Sequence, residues 1–299
     1  MKRFLTAFLM LMIALSASAC DESRQPPKPV EPPPPEPVVE EVSYPPPDNI
    51  LLVDDYFSNL PSLESVTTPV YDQYTIWERQ EKGLPMELPY IEPYVGEKIA
   101  YLTFDDGPDD KNTPAVLDIL KQEALPATFY VVGTQIEQFP DVLKRIYSEG
   151  HAIGNHSYTH KYNELYPTAS NFLIQLTNVD DLIREIIGVR PLIIRAPGGQ
   201  AGMWTPDYPP MMKACGYVEH DWNISCEDSA SRNKITAAEM VANIEKQLDR
   251  GVKNDTAIVL MHCNSGKEET VIALPEIIRV LRERGFSFGV VTPMTPQPW

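Results

Sequence analysis

The amino-acid sequence predicts an α/β domain built on a parallel sheet that closes into a barrel, and three observations carry that expectation. From Glu97 onward, seven short apolar runs alternate with six amphipathic helical stretches, the pattern of strands joined by helical crossovers. No apolar run opens into Gly-x-Gly-x-x-Gly, which removes the usual dinucleotide-binding sheet. The chemically distinctive residues Asp105, Asp106, His156, Arg195, Asp228 and His262 all fall at or just after the carboxyl ends of those runs, and in an α/β barrel that end is the catalytic rim.

Taken in order, the chain starts with a targeting segment. Lys2 and Arg3 precede an apolar run from Phe4 to Leu15 and then Ser-Ala-Ser-Ala-Cys20, the three parts of a secretory signal over residues 1–20. The run is short for a bilayer span, which needs about 20 apolar residues. Cys20 directly after Ala19 resembles the acylated cysteine of a bacterial lipoprotein, which would tie the protein to the outer face of the cytoplasmic membrane; Ala17-Ser-Ala19 also serves as an ordinary cleavage site that releases a soluble protein. Between Pro26 and Pro47, 11 of 22 residues are Pro, so residues 21–47 read as an extended linker that cannot bury a core. Residues 48–96 hold Tyr56, Phe57, Tyr71, Tyr74 and Trp77 with no sustained period, and are expected to pack as an irregular extension on the domain at 97–299.

Within that domain the spacing predicts strands at 99–104, 127–133, 151–156, 191–195, 217–224, 256–262 and 286–292. Helices are expected near 113–124, 140–148, 169–187, 206–215, 236–250 and 270–284, several opening on Asn, Thr or Ser and closing at Gly. A formal net charge of −17 opposes nucleic acid as a partner and leaves neutral or cationic polymers open. With Cys20 set aside, Cys215, Cys226 and Cys263 cannot all pair, so buried free thiols are expected, with a Cys215–Cys226 bridge as the alternative.

The chemistry gathers in four motifs. Ile99-Ala-Tyr-Leu-Thr-Phe104 runs into Asp105-Asp106-Gly-Pro108, where two adjacent carboxylates at a strand end point to different sides and can do two jobs. His156 and His160 stand four apart, so one helical turn would aim both imidazoles at one ion, with Asp106 as third ligand. Two His and one carboxylate with an open position suit a catalytic divalent cation, Zn²⁺ first, with Co²⁺, Ni²⁺ or Mn²⁺ as alternatives. Arg195-Ala-Pro-Gly-Gly199 and Leu260-Met-His262 complete the set.

Together, Thr103-Phe-Asp-Asp-Gly107, His156-Ser-Tyr-Thr-His160, Arg195-Ala-Pro-Gly-Gly199 and Leu260-Met-His262 resemble the polysaccharide deacetylases with a NodB homology domain, carbohydrate esterase family 4, over roughly residues 97–293. That resemblance implies a distorted (β/α)₇ barrel and metal-dependent removal of acetyl groups from a polysaccharide substrate, most often from N-acetylglucosamine; the extracytoplasmic position makes peptidoglycan the first candidate polymer, with chitin-like oligomers beside it, and a monomer is expected. It further implies Asp105 as general base, Asp106, His156 and His160 as metal ligands, Arg195 as the arginine that orients the base, and His262 as the acid that protonates the departing amine. The backbone N–H of Gly198 takes the oxyanion role; members often carry an aromatic at that position, so the groove here is expected to lack one wall. The carboxylate that tunes the acid histidine falls on Asp228 or, in a second register, on Asp221, with Trp222 lining the groove or packing. An acetyl-xylan or other O-acetyl esterase and a non-catalytic sugar-binding lipoprotein are the alternatives.

Overall fold

The computed structural model of the chain describes residues 47–63, 65–94, 96–229 and 235–298. The secretory signal, Cys20 and the Pro-rich segment as far as residue 46 lie outside the described residues. Among those described, no helix is long and apolar enough to cross a membrane.

The described chain begins with strands β1 (Leu51–Val53) and β2 (Val70–Asp72) and helix α1 (Ile76–Lys82). Thr75 and Glu78 form a capping box at the start of α1, and Gly83 ends it in the left-handed conformation. The main alternation follows as β3 (Ile99–Gly107), α2 (Asn112–Glu123), β4 (Thr128–Val132), α3 (Gly133–Gln138), α4 (Pro140–Ser148), β5 (Ala152–Ser157), α5 (Tyr162–Leu165) and α6 (Ala169–Ile187). It continues as β6 (Arg190–Pro191), β7 (Ile193–Ile194), α7 (Tyr208–Ala214), β8 (Val218–Glu219), β9 (Ile224–Ser225), α8 (Ala237–Leu248), β10 (Thr256–His262), α9 (Glu268–Glu283) and β11 (Ser287–Gly289).

The main sheet is parallel and runs β8-β7-β5-β4-β3-β10-β9, with β11 also on β3. One edge of β3 pairs with β10 from Ile99 to Asp105; the other is shared by β11 at Ile99–Tyr101 and by β4 from Thr103 onward. The single strand expected at 217–224 is two. The His220 N–H still donates to Ile194 O on β7, but the Asn223 N–H donates to Ile258 O on β10, so the chain steps from one end of the sheet to the other between them. With β8 and β9 counted as one broken strand, the curled sheet has seven strands and forms a distorted (β/α)₇ barrel.

The strand expected at 191–195 is also interrupted. β6 pairs antiparallel with β2, forming a small β1-β2-β6 sheet, and only β7 joins the barrel. Pro191 has no N–H to give a central ladder, which suits its place on this edge.

Strand alternation sorts the apolar residues into two layers. On β3, Ile99 and Tyr101 point inward to meet Tyr130, Ala152, Ile193 and Ile258. Ala100, Leu102 and Phe104 point outward into the larger core against Val116, Leu120, Leu274 and Ile278 of the helices. Thr103 and Asp105 continue the inward set, and both are buried. Cys215, Cys226 and Cys263 are buried free thiols.

Residues 50–94 are fastened to the barrel by buried charge. Asp72 accepts from Arg79 Nε (2.5 Å) and Nη2 (3.0 Å) and from Arg190 Nη1 (3.2 Å), while Arg190 Nε donates to Asp180 (3.0 Å) on α6. The Asp180 carboxylate also accepts from Asn155 on β5 (2.8 Å). Tyr71 adds a neutral tie, since its hydroxyl donates to His151 O and accepts the Ile153 N–H.

Candidate active site

The carboxyl end of β3 departs from the regular ladder. Its register against β4 shifts between Asp105 and Gly107, and Asp106 takes a left-handed φ of 69°. A non-glycine residue held there stores local strain, which concentrates at functional sites. Asp105 keeps the inward direction of its strand, and the left-handed residue brings the Asp106 carboxylate to the same cleft.

Asp106, His156 and His160 present ligand atoms that all lie within 4.8 Å of one another. Asp106 Oδ1 stands 3.1 Å from His160 Nε2 and 3.5 Å from His156 Nε2. The helical turn expected to align the two imidazoles is not what does so. His156 belongs to β5, where the strand period points it inward with Ala152 and Gly154, and His160 lies beyond the strand end in a turn, at a φ of 57°. The His160 backbone N–H donates to Ser157 Oγ (3.1 Å), which helps to shape that turn.

The protonation pattern suits a cation. His156 Nδ1 lies 2.7 Å from Arg195 O, and a carbonyl can only accept, so Nδ1 carries a hydrogen and the neutral ring presents its lone pair on Nε2. That lone pair faces Asp106 Oδ1, itself buried without a hydrogen-bond donor. Burial works to raise the Asp106 carboxyl, but His156, His160 and His262 hold it well below the ordinary carboxylate range. His160 is shifted down, first by burial and then by His156, which favours the neutral imidazole a metal requires.

Asp105 faces this cluster from the barrel interior, with Oδ2 3.8 Å from His156 Nε2. Its other oxygen accepts from Arg195 Nη1 (2.9 Å), which also donates to Thr103 Oγ1 (2.7 Å). The remaining Arg195 donors close the step between β8 and β9: Nε–H reaches His220 O (2.9 Å) and Nη2–H reaches Asp221 O (3.3 Å). The guanidinium is fully buried and stacks on the Tyr130 ring, 4.1 Å from its centroid.

His262, at the end of β10, stands across the cleft with Nε2 4.0 Å from Asp106 Oδ2. Asp228 accepts from it twice, from Nδ1–H (2.7 Å) and from the backbone N–H (2.8 Å), and Thr270 Oγ1–H donates to the same carboxylate (2.9 Å). Burial pushes the imidazole down, but Asp228 outweighs it and the net shift is upward, toward the protonated form. Of the two registers, the geometry puts Asp228 on the histidine. Asp221 instead accepts the Gln200 N–H (3.3 Å) beneath the turn at 197–200.

Gly198 and Trp222 both line the cleft, whose volume is about 490 Å³. The wall expected to be missing beside Gly198 is occupied by Tyr162, the first residue of α5. Sequence reasoning missed this residue, although it stands only two places beyond His160. It also missed Thr103 and Tyr130, which hold Arg195, and Thr270, which holds Asp228.

What the fold and this cleft define is an α/β-barrel hydrolase for acyl groups. Residues 93–220 match the family model described as polysaccharide deacetylase. A putative polysaccharide deacetylase of Bacillus subtilis is 32% identical over 197 residues, 66% of this chain and 68% of the relative. A peptidoglycan-N-acetylglucosamine deacetylase of Bacillus cereus is 34% identical over 191 residues, 64% and 68% of the respective chains. Among solved structures, a Streptococcus mutans carbohydrate esterase family 4 enzyme superposes with a TM-score of 0.62 at 31% identity, covering 72% of this chain and 95% of that one. The chain belongs to the polysaccharide deacetylase family, carbohydrate esterase family 4, and is an enzyme of that hydrolase class.

Proposed function

We propose that this enzyme removes N-acetyl groups from N-acetylglucosamine units of peptidoglycan or of a related chitin-like polymer. The observation that carries the proposal is the convergence on one cleft of a cation-competent Asp106–His156–His160 cluster, an arginine-anchored Asp105 and a carboxylate-backed His262. Relatives named as peptidoglycan-N-acetylglucosamine and chitooligosaccharide deacetylases support the choice of sugar.

Asp106, His156 and His160 would hold the divalent ion, and the Nε2 lone pair of neutral His156 beside the donor-free Asp106 Oδ1 fits one. Bound there, Zn²⁺ or a similar ion supplies Lewis-acid polarisation of the acetyl carbonyl and lowers the pKa of water. The other steps fall to the chain itself. Asp105, held by Arg195, takes the proton of the attacking water. The Gly198 N–H donates to the carbonyl oxygen as it gains negative charge. His262, kept protonated by Asp228, gives its proton to the departing amine, without which an amide C–N bond does not break readily.

The test is acetate release from chitooligosaccharides, peptidoglycan and acetyl-xylan, each with and without a chelator. Chelator-sensitive release from the first two supports the reading; release from acetyl-xylan alone makes the enzyme an O-acetyl esterase, and sugar binding without release makes it a binding protein. The sequence supports an extracytoplasmic position with a lipid on Cys20. A Cys20→Ser chain that still partitions with membranes argues against that tether.

A further inference from the structure

We infer that Tyr162 is a substrate-contacting residue of this cleft, supplying from α5 an aromatic wall against which the acetylated sugar packs. The inference rests on the deacetylase reading and adds a residue to its sugar-binding surface.

Gly198 and Gly199 lie in one tight turn, which the Gly199 N–H closes on Ala196 O (2.8 Å). Both glycines have a left-handed φ, 79° and 80°. A Cβ on Gly198 would land 2.5 Å from the Tyr162 hydroxyl oxygen and 3.2 Å from its Cζ, while one on Gly199 would land 3.2 Å from the Trp222 ring. The side-chain space of Gly198 is therefore taken by the Tyr162 phenol, and that of Gly199 by the Asp221 carboxylate (3.1 Å) together with the Trp222 ring. Tyr162 and Trp222 both border the cleft that holds Asp105, Asp106 and His262.

Tyr162 is held in place by its neighbours. Its ring meets Tyr166 edge-on at 5.6 Å and lies 5.9 Å from the His160 imidazole. Tyr166 is fixed in turn, stacked on Phe172 at 5.8 Å, with its hydroxyl donating to Pro197 O (2.7 Å). The Tyr166 hydroxyl thus ties the end of α5 to the turn that carries Gly198, with Tyr162 packed beside it.

Despite that support Tyr162 remains 44% exposed, and its hydroxyl has no hydrogen-bond partner among the described residues. A large aromatic side chain, buried along one edge and open toward the cleft, offers an apolar face to the C–H face of a pyranose and a hydroxyl to its polar rim. Packing of this kind acts in the ground state and the transition state alike, so its loss falls on KM more than on kcat.

The experiment compares wild type, Tyr162→Ala and Tyr162→Phe on a chitooligosaccharide series, with the same oligomer titrated by cleft tryptophan fluorescence and with Zn²⁺ affinity measured separately. The expected result is a rise in KM of about fivefold or more for Tyr162→Ala, a matching loss of oligomer affinity, Zn²⁺ affinity within twofold of wild type, and recovery of most of the loss by Tyr162→Phe. A KM rise below twofold overturns the inference, as does a loss that Phe fails to recover. A loss confined to kcat and Zn²⁺ affinity makes Tyr162 a support for His160 and overturns it too. If Tyr162→Ala unfolds, Tyr162→Phe and Tyr162→Leu carry the comparison, with Leu expected to lose affinity and Phe to keep most of it. Wild type that releases no acetate from any substrate refutes the deacetylase reading, whereas an active wild type with an indifferent Tyr162 refutes only the wall.

Discussion

Replacing Asp72 by Asn tests whether residues 50–94 are an integral part of the barrel. Asp72, Arg79 and Arg190 have fully buried side chains, and with Asp180 they form a cluster of two cations and two anions. Asp72 accepts from both guanidinium groups and from the Tyr74 N–H (3.0 Å). Asn keeps one acceptor oxygen, but its amide adds donors where only donors already point, and one positive charge is left uncompensated. Breaking a buried pair by removing one partner costs about 3–5 kcal/mol. Native stabilities are only about 5–15 kcal/mol, so the variant should lose a large share of its margin. At roughly 2–4 °C per kcal/mol for a domain of this size, the melting point should fall by about 6–20 °C. Urea unfolding at neutral pH, followed by circular dichroism, reads the free energy directly. A loss under about 1 kcal/mol would show that the network is nearly neutral and that the segment is not fastened this way.

Other expectations can be checked on the same protein. Asp105→Asn should still bind Zn²⁺ but lose acetate release by about 10²- to 10⁴-fold; turnover at the parent rate would remove Asp105 from the role of base. Asp106→Ala should lose both Zn²⁺ binding and turnover, measured by calorimetry and acetate release, and added Zn²⁺ should restore chelated wild type but not this variant. Asp228→Asn sets a donor against Thr270 or His262 and should lower kcat more than tenfold while destabilising the fold by about 1.5–3 kcal/mol; an unchanged kcat would leave Asp228 a purely structural acceptor. His151 is buried with its pKa depressed to about 4, because burial disfavours the cation. The unfolded chain takes up that proton near pH 6.5, so this histidine's contribution is fully present above pH 6.5 and is lost as pH falls toward 4. Between pH 7.5 and 5 wild type should therefore lose about 2 kcal/mol more than His151→Gln in urea titrations, and parallel pH curves would contradict the assignment.

How much of this was legible in the sequence depended on whether a feature is local. The period of 3.6 places α6 at 169–187, and the unbroken apolar run places β10 at 256–262, because each element buries one face along its own length. The carboxylates at 105 and 106 were recognisable for the same reason, as polar residues at the abrupt end of an apolar strand. The break at 220–223 was hidden because an apolar run does not say which neighbour it pairs with. The shared aim of His156 and His160 was legible as a spacing, but its cause, a left-handed turn after a strand, was not. Asp221 and Asp228 could not be separated by spacing alone, since only the path of the loop after β9 brings one of them to His262. The Asp72–Arg190 contact joins residues 118 positions apart, and Tyr162 meets Gly198 across a turn that no periodicity encodes.

Arg195 binds hull and machinery in one side chain. Its N–H groups serve two main-chain oxygens at the break between β8 and β9, and two side chains at the mouth of the same barrel. A lysine, with a single ammonium on a flexible stem, could not span that set of four acceptors. The tolerance for change at this position is therefore set by architecture before chemistry enters: any replacement loosens the seam of the barrel and the aim of Asp105 together, and neither can be retuned while the other stays fixed.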